Sequence, residues 1–237
     1  MKMILALFVL FTTFLSPVFA APAKAKGAKP DAEKVKLTEK NKEHKKLAIE
    51  TLQKYSSAKF ISADLEKLDN KLTLGTKTTN KGTINYSSGK IYLKLESDKK
   101  TELFFTNNKI ILVDYPDQDF DKNGPRKVTT ITKDKPAFLQ SLINLFSNSS
   151  KFFSDFKLKD SSLNGSQLVL TLEPNIKSLK NFILSINTKD KIIESIQFTD
   201  DVDTQTTITF KNLDLKKKLP ESTFKFKSLK TDQEMHQ

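Results

Sequence analysis

Apolar and polar residues alternate with a period of two over most of the chain, the mark of strands that bury one face. In 60–68, FISADLEKL, Ile61, Ala63 and Leu65 share one side. In 82–98, Ile84 and Tyr86 lead into a Ser87-Ser88-Gly89 turn, and Ile91, Leu93 and Leu95 then face away from Tyr92, Lys94 and Glu96. The stretch 102–116, ELFFTNNKIILVDYP, repeats the figure: Leu103 and Phe105, a turn at Asn107-Asn108, then Ile110 and Leu112. Residues 114–125, DYPDQDFDKNGP, are turn-formers and read as a loop, followed by a strand at RKVTTIT. Further strands are predicted around Leu168, Leu170 and Leu172; around Phe182, Leu184 and Ile186; over Ile192–Phe198 beyond a turn at 188–190; around Ile208, Phe210 and Leu213; and at Phe224 and Phe226.

Two segments carry helical spacing instead. Thr38 can cap a helix whose apolar stripe is His44, Ala48, Leu52 and Tyr55, flanked by Leu47 and Thr51, ending near Ser56-Ser57. In 134–148, DKPAFLQSLINLFSN, Asp134 can cap, Pro136 suits a first turn, and Phe138, Leu139, Leu142, Ile143 and Phe146 form a broad apolar face. The connector KFFSDF has no assigned state. These elements define an α+β, mostly β fold: about ten antiparallel strands in a large sheet, with helices packed on one face.

Composition adds a destination. Residues 1–20, MKMILALFVLFTTFLSPVFA, combine Lys2, an apolar run and a small-residue end, which predicts a signal peptide cut after Ala20. Residues 21–37 are Lys- and Ala-rich with little to bury and predict a disordered leader; 38–230 form one domain and 231–237 a flexible tail. The chain has no cysteine, so neither a disulfide nor an acylated anchor cysteine is available. The formal charge is +12, falling to +11 (12 − 1) when Lys2 leaves with the signal, and Arg126 is the only arginine. A basic surface so poor in arginine does not suit nucleic-acid readout and reads as solvation.

Catalytic chemistry is hard to assemble from these residues. His44 and His236 have no partner at metal-ligand spacing, and no Gly-rich loop or nucleophile elbow occurs. Asp117 and Asp119, and Asp200, Asp201 and Asp203, fall in turns. A binding protein without a cofactor is expected, and not an enzyme.

The apolar face is larger than two helices easily hide. A curled sheet capped by helices encloses volume, which side chains can fill or an apolar ligand can occupy. Alternation leaves both open, and each residue taken singly reads as core before it reads as ligand contact.

The order of segments resembles the LolA family of periplasmic lipoprotein carriers, from about Leu47 to Phe226. It rests on ISADLEK at 61–67, on Gly82 opening a strand, on the hairpin from Asn108-Lys109 to Tyr115-Pro116, and on Thr199-Asp200 and ITFKNL near the end. The resemblance implies an incomplete antiparallel barrel with a helical lid over a cavity for acyl chains. Candidate lining residues are Ile84, Ile91, Leu93, Leu103, Phe105, Leu112, Phe182 and Leu184 from the sheet, with Phe138, Leu142 and Phe146 from the lid. It also implies a soluble periplasmic monomer that takes acylated lipoproteins from an inner-membrane release complex to an outer-membrane receptor. Three family features are replaced. The Arg-Pro turn, whose arginine helps hold the lid, reads Ser87-Ser88-Gly89; the hairpin tryptophan is absent near Leu112 and Val113; and Lys227-Ser228-Leu229 stands for the usual Pro-Pro-Gly. Two other functions fit the same pattern: a binder of another amphiphile, such as a phospholipid or glycolipid, and an envelope module that recognises a protein partner over a filled core.

Overall fold

A computed structural model describes residues 38–97, 99–106, 109–117, 119, 121, 123–132 and 137–236, with the side chains of 137–140 left undescribed. The expected signal segment, the leader, the Asn107-Asn108 turn, the Asp134 cap, Pro136 and the Phe138 side chain all lie outside the described residues.

The chain opens with helix α1 (Glu39–Ser56), capped by Thr38, whose side chain accepts a hydrogen bond from the Asn41 N–H. A meander follows: β1 (Phe60–Lys71), β2 (Thr76–Ser87), β3 (Lys90–Glu96), β4 (Thr101–Thr106), β5 (Lys109–Asp114) and β6 (Lys127–Ile131). Helices α2 (Ala137–Ser147) and α3 (Ser149–Asp155) cross to a second meander: β7 (Phe156–Asn164), β8 (Gln167–Pro174), β9 (Leu179–Asn187), β10 (Ile192–Asp200) and β11 (Thr204–Asp214). The connector KFFSDF thus supplies most of α3 and the first residue of β7. A 3₁₀ turn at Glu221–Phe224 and a short strand β12 (Gln233–His236) end the fold.

These strands join one sheet in the order β12-β6-β5-β4-β3-β2-β1-β11-β10-β9-β8-β7. Every neighbouring pair is antiparallel except β12 with β6. The sheet curves without closing, and the three helices lie on its concave face, so the mostly β class with a helical cover holds. The two meanders meet only where β1 pairs β11, with Leu65 opposite Phe210 and Asp69 opposite Thr206.

Local chemistry explains two tight places. Ser88 (φ +48°) and Gly89 (φ +80°) both adopt the left-handed conformation that a two-residue hairpin turn needs. At Gly82, β2 and β3 approach so closely that a Cβ would overlap the Lys94 carbonyl oxygen.

The inward face of β1 departs from the expected apolar alternation. After Ile61, Ala63 and Leu65 it continues with Lys67, 2 % exposed, and with Asp69, which is also buried. Their side chains form an ion pair, and Asp69 Oδ1 accepts a 2.6 Å bond from the Thr206 hydroxyl of β11. Burial holds the Lys67 ammonium below the usual lysine range, partly countered by Asp69.

The C-terminal region also differs from expectation. Phe224 and Phe226 form no strand: Phe224 closes the 3₁₀ turn and Phe226 packs on Phe104, ring centroids 5.8 Å apart, on the convex face. Residues 233–236, expected as part of a tail, pair with β6 because Arg126 holds Asp232 through two bonds, Nε to Oδ1 at 2.7 Å and Nη2 to Oδ2 at 2.6 Å.

Gly82→Ala is expected to force β2 from β3 and cost about 1–3 kcal/mol, read as a lower urea midpoint. Lys67→Ala strands the Asp69 carboxylate and is expected to cost about 3–5 kcal/mol, whereas Lys67→Met with Asp69→Leu regains most of that loss in the same assay.

Candidate functional site on the concave face

Strand register assembles the expected lining residues into rows. Ala63, Ile84, Leu93, Leu103 and Leu112 lie side by side across β1–β5. Ile61, Tyr86, Ile91, Phe105 and Ile110 form the adjoining row and end on Ile131 of β6. Helix α2 adds Leu142 and Phe146 to the same cluster. Ile91, Leu103, Phe105, Leu112 and Phe146 are buried, while Ile84, Leu93 and Leu142 stay half-buried, as does Phe210 of β11.

Phe182 and Leu184 sit elsewhere, in the second meander. Phe182 lies within an aromatic group of Phe156 (4.5 Å), Phe152 (5.9 Å) and Phe198 (6.5 Å, stacked), and Leu184 is in register with Ile196 and Leu170. Helix α1 packs over β7, β8 and β10, and α3 brings Phe152 and Phe153 down onto this half. The half under α1 and α3 is a filled core; the half spanned by β1–β3 and α2 keeps apolar groups partly open.

Sequence reasoning singled out Phe146 as a lid residue but not the rings that receive it. The Phe146 ring meets Tyr55 of α1 and Tyr86 of β2, each at 6.0 Å, and Phe210 edge-on at 6.2 Å. Tyr55 is anchored in turn, its oxygen accepting a 2.6 Å bond from the Ile193 N–H, and burial pushes its hydroxyl up to about 12. The only advance signals were the position of Tyr55 at the end of a helical stripe and of Tyr86 just before the turn. Polar ties complete the cover: Ser141 and Asn144 of α2 donate to Asp155 Oδ2 at 3.2 and 3.1 Å. Where the family resemblance implied an arginine to hold the lid, the turn has none, and the adjoining Lys90 pairs with Glu221 at 2.7 Å instead.

His44 and Ser161 approach to 2.8 Å, yet both are buried and committed. The Ser161 hydroxyl donates to Asn41 Oδ1 at 2.6 Å, which assigns the proton between them to His44 Nδ1 and ties α1 to β7. Among the described residues no three His, Asp or Glu side chains stand close enough to share a metal ion. On the convex side a cleft of about 400 Å³ lies between the sheet and residues 222–227, walled by Tyr92, Phe104, Tyr115 and Phe226. In its wall Glu102 accepts from Tyr92 and Tyr115 at 3.1 Å and from Lys100 at 2.9 Å. Burial, with the Glu102 charge, holds the Tyr92 hydroxyl above its usual range.

The concave face thus presents partly exposed apolar side chains, Ile84, Leu93, Leu142 and Phe210, with the buried ion pair Lys67–Asp69 further along β1. Residues 56–227 match the model of the family described as outer membrane lipoprotein carrier protein LolA, and the chain belongs to that family of binding and carrier proteins. No curated protein matches the chain. Similar solved structures include an uncharacterized conserved protein from Thermus thermophilus (8 % identity, TM-score 0.48, covering 81 % of this chain and 98 % of that one). A LolA superfamily protein from Nitrosomonas europaea follows (9 %, 0.40, 76 % and 97 %). The MucA/MucB complex of Pseudomonas aeruginosa also matches (12 %, 0.39, 78 % and 61 %). None of the described helices is long and apolar enough to cross a membrane.

Phe146→Ala is expected to remove three ring contacts at once and cost about 3 kcal/mol of stability. Amide exchange should rise along α2 before it rises in β8 and β9, a pattern that hydrogen-exchange mass spectrometry resolves.

Proposed function

We propose that the concave face of β1–β5 holds the acyl chains of lipoproteins, and that the protein carries them through the periplasm from an inner-membrane release complex to an outer-membrane receptor. The observation that carries this reading is the group Ile84, Leu93, Leu142 and Phe210: apolar, inward-facing and half-buried beside a filled core, where the helical cover is incomplete. Each methylene moved from water into such a site contributes about 0.8 kcal/mol, so a long acyl chain is held without polar contacts. Helix α2 serves as the lid, latched by Phe146 on Tyr55, Tyr86 and Phe210 in place of the family's arginine. Loading lifts the latch, and a receptor that competes for the same apolar surface unloads the chain. The protein needs no cofactor for this and hydrolyses nothing.

Native mass spectrometry of protein purified from the periplasm, with lipid extraction of the same sample, identifies the cargo. A triacylated peptide is expected, and a phospholipid or glycolipid would replace lipoprotein transport with carriage of that amphiphile. In parallel, a fluorescent fatty-acyl probe should bind the wild type, and Leu93→Glu should weaken it by roughly tenfold or more while leaving the circular dichroism spectrum unchanged. A folded protein that binds no probe and carries no lipid would overturn the cavity and favour the protein-recognition module.

A further inference from the structure

Outside the concave face, the most exposed large apolar side chains among the described residues come together at one point of the sheet. The β1–β2 turn presents Leu72, 52 % exposed, and Leu74, 68 % exposed; the β10–β11 turn presents Val202, 61 % exposed. The Leu72 N–H donates to the Asp203 carbonyl at 3.1 Å, so the two turns form one tip although about 130 residues separate them in sequence.

Both turns are built rather than loose. Gly75 (φ +64°) closes the first with its N–H on the Lys71 carbonyl at 2.8 Å. In the second, the buried Asp200 carboxylate accepts from the Val202 and Thr204 N–H groups at 3.0 and 2.7 Å, which holds Val202 outward. The tip also protrudes. β3 begins to pair with β2 only at Lys81, and residues 76–79 of β2 are exposed on both faces. Charges form a collar behind it: Lys71, Lys77 and Lys180 against Asp201 and Asp203, with Lys180 and Asp203 paired at 2.5 Å.

We propose that this paired-turn tip inserts into the headgroup–acyl boundary of a phospholipid bilayer and docks the sheet end-on to a membrane. A stable protein interface needs about 800 Å² from each partner, and three side chains on a convex point fall far short of it. A bilayer interface deforms around a convex tip, accepts apolar side chains to a depth of about 5–10 Å, and lets adjoining lysines reach the headgroups. The proposal stands on residues outside the concavity and does not depend on what the concavity holds.

The chain contains no tryptophan, so a single introduced indole reports alone. The mature protein carrying Leu74→Trp is mixed with vesicles of phosphatidylethanolamine and phosphatidylglycerol. A blue-shifted emission quenched by brominated acyl chains is expected, and Leu229→Trp, at another exposed apolar position, should stay unshifted. Leu72→Ser, Leu74→Ser and Val202→Ser together should reduce vesicle co-sedimentation of the otherwise unaltered chain by roughly tenfold and leave acyl-probe binding unchanged. No shift at position 74, an equal shift at 229, or a shift without vesicles that tracks self-association in sedimentation velocity would overturn the proposal.

Discussion

The pairing of β1 with β11 is the seam on which the sheet depends. Each meander can form from neighbouring hairpins, but only this pairing joins them into one curved surface. Its register matters absolutely, because a slip of one residue along β1 would turn Ile61, Ala63 and Leu65 to solvent. The bond from Thr206 to Asp69, itself paired with Lys67, spans the seam and is satisfied in one register. A buried ion pair is a weak source of stability, and what crosses the seam here is the bond that Asp69 accepts from Thr206.

Joining the meanders leaves a surface with two characters. Helix α1, tied to β7 through Asn41, His44 and Ser161, and helix α3 with its phenylalanines cover the apolar face of β7–β10, while Phe210 of β11 stays half-buried. Among the described side chains of α2, the Phe146 ring meets Tyr86 of the first meander, and Ser141 and Asn144 tie the helix to Asp155 of α3.

The convex side is managed by the chain's end. Arg126 lies against the Tyr115 and Phe226 rings and binds Asp232, so the single guanidinium of the protein fastens residues 226–236 over the small cluster of Phe104, Val113 and Val128. The same fastening lays β12 along β6 and covers an edge that would otherwise present unpaired backbone.

Much of this was legible in the residues. Thr38 and the 44–55 stripe marked α1, and the alternations at 61–65, 91–95 and 168–172 marked strands with the correct side inward, because such signals rest on neighbours a few residues apart. The turn at Ser88-Gly89 was equally local, whereas Gly82, expected from the family resemblance to open a strand, lies within β2, where its constraint comes from Lys94 of β3. Tertiary structure alone settled the rest. Lys67 and Asp69 read as solvated charges until Thr206 is placed opposite them, and the end of the chain reads as a tail until Asp232 meets Arg126. Leu93 and Leu184 carry the same alternating pattern, yet one is half-open and the other wholly enclosed. That difference depends on which helix crosses above each, and contacts between residues so far apart in sequence leave no periodicity along the chain.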